Sequence, residues 1–158
     1  MKMYRLIYKS KSKTAITWDM VRDIMHSSNV HNDEAEVSGI LLASNTHYLQ
    51  VLEGPYDKVN KTFMRIACDQ RHCEIQLISF SIIDTRIFEA WGMLGIGVFD
   101  LNKNLEEELK QKYGEQDGEL YFPLEEWKSL AMINDINLMS KIGRESCRGS
   151  VVWGGGGG

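Results

Sequence analysis

The stretch VSGILLASNTHYLQVLEGP, residues 37–55, decides the fold of this chain. Two runs rich in branched and aromatic residues, 37–43 and 47–52, flank a short polar segment, which is the pattern of two strands joined by a turn. Gly54 then breaks the second strand, and Pro55 suits the first position of a helix because proline has no N–H to leave unpaired there. The stretch therefore predicts a β-hairpin followed directly by a helix.

Strand and helix patterns continue on both sides of this hairpin. Upstream, MYRLIY at 3–8 predicts a strand, and Thr17 is placed to cap a helix that ends near residues 29–32. Downstream, the helix after the hairpin is followed by strand patterns at 74–83 and 93–99. The resulting order, βαββαββ, predicts an α+β domain with a ferredoxin-like sheet and two helices on one of its faces.

The pattern changes after residue 100. Two helix patterns, 105–113 and 124–139, are separated by a loop and have little apolar surface, so we expect them to dock on the sheet. The five final glycines are typical of a flexible coil, either a cloning remnant or the start of a linker. We divide the chain into a sheet domain at 1–100, a helical extension at 101–142 and a tail at 143–158.

Composition excludes several classes of protein. A net charge of −4 offers no basic surface, so we expect no direct contact with nucleic acid. The chain has no apolar run of membrane-spanning length and no signal pattern, which predicts a cytoplasmic protein without a membrane anchor. Cys68, Cys73 and Cys147 are odd in number and lack a CxxC spacing, so neither a disulfide framework nor a metal site is predicted.

Gln50 is the polar residue that needs an explanation, because it lies inside the otherwise apolar strand YLQVL. If it is buried, its amide requires a polar partner, since an unpaired group costs about 1–3 kcal/mol. Strand alternation equally allows Gln50 to face solvent together with Tyr48 and Leu52. The residues alone leave both alternatives open.

Other polar residues have an ordinary structural interpretation beside a functional one. Asn32, after His31, is typical of a turn at a helix end. The segment from Arg65 to His72 could hold an anion, although charges at a helix end usually form a solvated face. Trp91 and Met93, near a strand start, are typical core residues. Each interpretation remains open on the residues alone.

No hydrolytic centre can be assembled from the sequence. Glu53 is a lone candidate for a general acid or base, without a Ser-His-Asp or Cys-His set around it. Neither a GxGxxG nor a GxxxxGK[ST] phosphate-binding motif is present. The residues therefore give no support for hydrolytic chemistry.

Taken in order, five segments resemble the BLUF family, which uses a flavin to sense blue light. The most specific of them is YLQVLEG at 48–54, placed after the VSGILL strand with a tyrosine on the first strand. The remaining matches are RLIYKS at 5–10, HN followed by that VSGILL strand at 31–42, DQRH at 69–72 and FEAWGM at 88–93. Gly92 departs mildly from the family, where bulkier residues are common between the tryptophan and the methionine.

The resemblance implies a flavin, FAD or alternatively FMN, lying between the two helices over the sheet. Tyr8 and Gln50 would be the photoactive pair, and Trp91 and Met93 would relay the signal. The implied cofactor-binding residues are Tyr8, His31, Asn32, Gln50, Arg65, Asp69, Arg71 and His72.

The function implied is that of a blue-light photoreceptor which signals to an unidentified downstream protein or to neighbouring subunits of a homo-oligomer. A phenol can give an electron and a proton to an excited flavin, and an amide with donor and acceptor ends can relay that proton. The competing interpretations are a flavin-dependent oxidoreductase and a ferredoxin-like regulatory domain without a cofactor. A reversible shift of a flavin spectrum on blue light, without added reductant, would support the photoreceptor alone.

Overall fold

The computed structural model describes residues 2–30, 37–88 and 92–146. The elements follow the predicted order, and the C-terminal part adds two helices and a short hairpin. In chain order they are β1 (Met3–Ser12), α1 (Trp18–Val30), β2 (Ser38–Ala43), β3 (His47–Pro55), α2 (Tyr56–Ala67), β4 (His72–Ile83), β5 (Met93–Gly97), a 3₁₀ turn (Val98–Asp100), α3 (Lys103–Tyr113), β6 (Glu115–Gln116), β7 (Glu119–Leu120) and α4 (Glu126–Ser146).

The main sheet has five strands in the order β4-β1-β3-β2-β5. The first four make antiparallel neighbours in the ferredoxin-like arrangement, and β5 adds in parallel to β2. The predicted βαββαββ order and the α+β class are therefore confirmed. Tyr8 on β1 pairs with Gln50 on β3, which places both near the centre of the sheet.

Helix α1 begins as its sequence predicts. The Thr17 hydroxyl accepts a hydrogen bond from the backbone N–H of Met20, which satisfies one of the free donors at the helix start. Val21 and Met25 are buried on the face that meets the sheet. A Cβ atom at Gly95 would lie 2.4 Å from the Met25 sulfur, so glycine at this position of β5 is what allows α1 to pack this closely.

Helix α2 begins one residue later than predicted. Pro55 is the N-cap residue, with φ −60° and ψ 145°, and is still part of β3 rather than the first helical residue. This extended conformation agrees with proline's fixed φ, and its missing N–H costs no hydrogen bond at the end of a strand. The hairpin therefore passes into α2 without a loop.

Two hydrophobic cores lie on opposite faces of the sheet. The first core lies on the first face of the sheet and contains residues of α1 and α2, including Val21 and Ile66. The second core lies on the second face and contains residues of α3 and α4, including Leu109 and Met132. Strand β3 contributes to both, so it is buried on either side. The docking of the C-terminal helices on the sheet is thus confirmed, whereas the divisions at residues 100 and 142 stay a prediction.

The C-terminal part differs from the predicted boundaries. The strand pattern at 93–99 ends at Gly97 and continues as a 3₁₀ turn, and the predicted loop at 114–122 contains the β6–β7 hairpin, with Gly118 at φ 80°. Helix α4 runs through Gly143 to Ser146, beyond the predicted end at residue 139. Within the described ranges no helix is both long and apolar enough to cross a bilayer.

A lysine ties the extension to the first strand. Lys9 is buried on the second face of the sheet, where its Nζ donates a hydrogen bond of 2.6 Å to the carbonyl oxygen of Phe122. The same ammonium lies 4.3 Å from the ring centre of Tyr121. The residue that follows Tyr8 is therefore bonded to the segment between β7 and α4.

Candidate functional site

Tyr8 and Gln50 form the centre of the site. They lie directly opposite each other on β1 and β3, and neither is exposed. The Tyr8 hydroxyl donates a hydrogen bond of 2.5 Å to Oε1 of Gln50. Gln50 is therefore buried with a partner, and the alternative that it faces solvent is wrong, because helices cover both faces of β3.

The surroundings of Tyr8 keep its hydroxyl protonated. Burial raises the pKa of Tyr8 far above its usual value, and the nearby Tyr48 and Asp69 raise it further. The ring of Phe63 on α2 lies 5.4 Å from the Tyr8 ring, centre to centre. Tyr8 is thus a neutral hydrogen-bond donor in an apolar, aromatic setting.

Met93 completes the contacts of the Gln50 amide. Nε2 of Gln50 lies 3.5 Å from the sulfur of Met93, which is buried at the start of β5. A thioether is a weak acceptor, so this end of the amide is held less firmly than the end that faces Tyr8. Trp91, the other predicted relay residue, lies outside the described residues.

A small cavity of about 20 Å³ opens between the two helices of the first face. It is lined by Ile24 of α1, by Arg65 and Ile66 of α2, and by Asp69 and His72 beyond α2. Its volume is that of a single water molecule, so α1 and α2 or their side chains must move apart to admit a flavin ring.

Two polar atoms near this cavity are buried without partners. Nη2 of Arg65 and Nε2 of His72 have no hydrogen-bond partner in the part of the chain that the structure describes. The other ring nitrogen of His72 lies 2.8 Å from the Ser10 hydroxyl, which fixes the ring's orientation. Buried groups of this kind normally have a partner, so the pair fits a ligand with polar atoms at its edge, as a flavin has.

Arg71 is paired with two carboxylates. Its guanidinium contacts Asp69 at 2.5 Å and Asp23 of α1 at 3.0 Å, and its backbone N–H also donates to Asp69. Hydrogen bonds from Arg71 lower the pKa of the Asp69 carboxyl. Arg71 thus links α1 to the segment before β4, a structural role that is compatible with the solvated-face interpretation.

His72, the residue after Arg71, is uncharged. Burial lowers the pKa of His72, so its imidazole is neutral near pH 7.

Glu53 has a structural role that its sequence position did not predict. Its carboxylate is fully buried. It accepts a hydrogen bond of 2.8 Å from Nε of Arg5 and one of 3.0 Å from each of the backbone N–H groups of Ile87 and Phe88. It therefore holds the segment before β5 against the sheet.

The prediction missed two further residues of the site, Ser10 and Tyr48. The ring centre of Tyr48 lies 5.1 Å from that of His72, and Ser10 contacts the same histidine. Both residues belong to the segments that resemble the family.

Three predicted site residues, His31, Asn32 and Trp91, lie outside the described residues. Among the residues that are described, no group of three or more His, Cys, Asp or Glu side chains is arranged to hold a metal ion.

Comparison with known proteins agrees with this geometry. Residues 3–94 match the sequence model of the family described as "BLUF: Sensors of blue-light using FAD". The chain is 29% identical over 106 residues to the blue light- and temperature-regulated antirepressor BluF of Escherichia coli, which covers 67% of this chain and 26% of that protein. It is 31% identical over 65 residues to the photoactivated adenylate cyclase subunit beta of Euglena gracilis, covering 41% of this chain and 8% of that protein.

Solved structures show the same fold. The BLUF protein BlrB in its dark state has a TM-score of 0.66 at 24% identity, covering 89% of this chain and 97% of BlrB. BlsA in its photo-activated state has a TM-score of 0.66 at 25% identity, covering 87% and 94%. Since the family match spans more than half of the chain and includes the Tyr8–Gln50 pair, this chain belongs to the BLUF family of blue-light sensors that use FAD.

Proposed function

We propose that this chain is a blue-light photoreceptor that holds FAD without a covalent bond and signals through a light-driven rearrangement of the hydrogen bonds around Tyr8 and Gln50. The observation that carries the proposal is the buried hydrogen bond of 2.5 Å between these two side chains. Tyr8 belongs to the first core, together with residues of α1 and α2. The chain acts as a sensor and not as an enzyme.

The residues of the site can move a proton when an electron is withdrawn from Tyr8. When bound, a flavin would supply light absorption and an electron acceptor. A phenol that loses an electron becomes strongly acidic, and the nearest acceptor for the Tyr8 proton is Oε1 of Gln50. The Gln50 amide can then exchange its donor and acceptor ends, because Met93 holds its nitrogen only weakly.

The cofactor is bound by residues around the cavity. Arg65 supplies a buried donor that lacks a partner in the described structure, and Asn32, preceded by His31, matches the family's position for the pyrimidine end of the ring. Asp69, Arg71 and His72 assist at the polar edge. FMN, which has the same ring, is the alternative cofactor, and the family description favours FAD.

The signal leaves through β5 and the C-terminal helices. Met93 contacts Gln50 at the start of β5, and Ile96, further along β5, belongs to the second core together with Met132 of α4. We propose that Trp91 and Met93 relay the change to a separate downstream protein, or to another subunit of a homo-oligomer, in the cytoplasm. In the proposed division of the chain, the signal passes from a flavin domain at 1–100 to an extension at 101–142, which is followed by a tail at 143–158.

Replacing Tyr8 tests the proposed photochemistry. Tyr8→Phe keeps the ring packing but removes the hydroxyl, so the variant should bind flavin and lose the reversible shift of the flavin spectrum under blue light. Tyr121→Phe is the matched control, because Tyr121 lies beside Lys9 on the other face of the sheet, and it should keep the shift. A normal photocycle in Tyr8→Phe would contradict the proposal.

Hydrogen exchange tests the output route separately. We expect altered protection in residues 91–99 and 124–139 under steady blue light relative to darkness. A light signal shifts this contact only if the two states differ in its free energy. Identical exchange in both segments, with the optical response of the flavin intact, would place the output elsewhere.

A further inference from the structure

Strand β4 is the outer strand of the main sheet. Its residues 79–83 pair regularly with residues 3–7 of β1, and no described strand lies on its other side. The outward-facing N–H and C=O groups of this segment can therefore accept another strand. The register shifts between β1 and β4 involve residues 72–79 only, so they leave the last five residues of β4 straight.

This edge lacks the usual protection against strand pairing. Residues 76–83, QLISFSII, contain neither a charged residue nor a proline, whereas soluble proteins normally block an exposed edge with one of these. Leu77 and Ile82 are each 53% exposed. Beside them, Phe80 stacks on the half-exposed ring of Tyr56 at 4.9 Å, so apolar surface continues from the edge onto α2.

The segment is complementary to itself. When two copies pair antiparallel around Ser81, Phe80 of each lies opposite Ile82 of the other, and Ser79 lies opposite Ile83. Residues that lie directly opposite each other in a sheet must be on the same face of it. Phe80 and Ile82 meet this condition, because their partners Leu6 and Tyr4 lie on the same side of β1. The nearest charge, Asp84, is three residues from the axis, so no like charges meet.

We propose that residues 79–83 of β4 form a self-association surface, on which a second copy of this chain adds its own β4 antiparallel with the two-fold axis at Ser81. The pairing joins two five-stranded sheets into one and brings both Tyr56–Phe80–Ile82 surfaces together on the same face. An interface made by one strand and its flanking side chains is small, so the dimer is weak and depends on protein concentration. The proposal is independent of the photochemistry.

A pair of lysine substitutions locates the interface. Ile82→Lys puts a charge opposite Phe80 of the other copy twice per dimer, and it should raise the dimer dissociation constant by roughly tenfold or more. Leu138→Lys is the matched control, because Leu138 is 52% exposed on α4, across the sheet. Sedimentation velocity in darkness, from about 1 to 300 μM, measures both against the unchanged chain.

The outcomes separate this surface from the alternatives. A wild-type chain that stays monomeric over the whole range overturns the proposal, as expected if another part of its own chain covers the edge. A dimer that is insensitive to Ile82→Lys but weakened by Leu138→Lys overturns it in favour of α4. Weakening by Ile82→Lys alone supports it.

A cross-link tests the register. In a chain with Cys68→Ser, Cys73→Ser and Cys147→Ser, Ser81→Cys places two thiols directly opposite each other. Opposite Cα atoms in antiparallel strands are about 4.5–5.5 Å apart, which is within disulfide range. We expect a covalent dimer on mild oxidation with Ser81→Cys and none with Lys103→Cys, an exposed position on α3. Equal yields from the two positions would overturn the register and with it the proposal.

Discussion

The nitrogen of the Gln50 amide lies 3.5 Å from the sulfur of Met93, while its oxygen accepts a hydrogen bond of 2.5 Å from Tyr8. One end of this buried amide is thus firmly bonded and the other faces a weak acceptor. An amide that turns over would give Tyr8 an N–H in place of an acceptor, so the two arrangements of Gln50 are chemically distinct. A two-state element of this kind is what a sensor requires.

Gln50→Leu should abolish the light-induced shift of the flavin spectrum. Leucine keeps approximately the size of glutamine and removes both amide functions, so flavin remains bound while the rearrangement is lost. The measurement is the difference spectrum between light and dark, at matched flavin occupancy. An unchanged difference spectrum would show that another group responds to light.

Arg65→Met should weaken flavin binding by about one to two decades, because a buried hydrogen bond to the ligand is worth about 1–3 kcal/mol. Equilibrium dialysis measures the dissociation constant. Lys61→Met, on an exposed part of the same helix, is the control and should leave it unchanged. Since Nη2 of Arg65 lacks a partner among the described residues, the flavin-free variant should be no less stable than the unchanged chain. Equal dissociation constants would contradict a contact between Arg65 and the flavin.

Glu53→Ala should lower the free energy of unfolding by about 3–5 kcal/mol, because it leaves Arg5 without its partner and two backbone N–H groups without an acceptor. Glu53→Gln should cost less, since its amide oxygen can still accept. Denaturant unfolding measures both, with the exposed Glu107→Ala as control. Faster hydrogen exchange at residues 87–88 should accompany the loss, and unchanged stability would show that the carboxylate is dispensable.

Stability should fall as the pH is lowered below about 6.5, the ordinary histidine pKa. Burial lowers the pKa of His72, so in this pH range His72 binds a proton more readily in the unfolded chain than in the folded one. His72→Gln should flatten the curve of unfolding free energy between pH 7.5 and about 5. Burial also lowers the pKa of His47, so His47→Gln should remove a further part of the slope. A curve that neither substitution alters would contradict this origin.

Local sequence signals were sufficient for the order of the elements. The hairpin at 37–55 and the capping Thr17 are specified by neighbours in the chain, and both are confirmed. Whether Gln50 is buried or faces solvent was not predictable, because β3 is covered on its second face by helices that lie far away in sequence. Alternation cannot distinguish the faces of a strand that is buried on both sides.

Two further differences have the same origin in distant contacts. The partners of Glu53 are Arg5, 48 residues away, and backbone groups near residue 87, which no motif indicates. Helix α4 also continues beyond its predicted end at residue 139 and through Gly143, since a glycine inside a helix costs only about 1 kcal/mol and need not end it. The role of each predicted flavin contact depends on the ligand itself and stays a prediction.

The bond from Lys9 to the carbonyl of Phe122 has a consequence for protein engineering. A chimaera spliced at residue 100, with a foreign effector in place of the extension, would remove the acceptor of the Lys9 ammonium and also the residues that cover the second core. Apolar side chains of that core, such as Ile7 beside Tyr8, would then meet water, and the loss of stability would fall on the strand that carries Tyr8. A graft of this sensor onto a new effector should therefore retain the chain through α4.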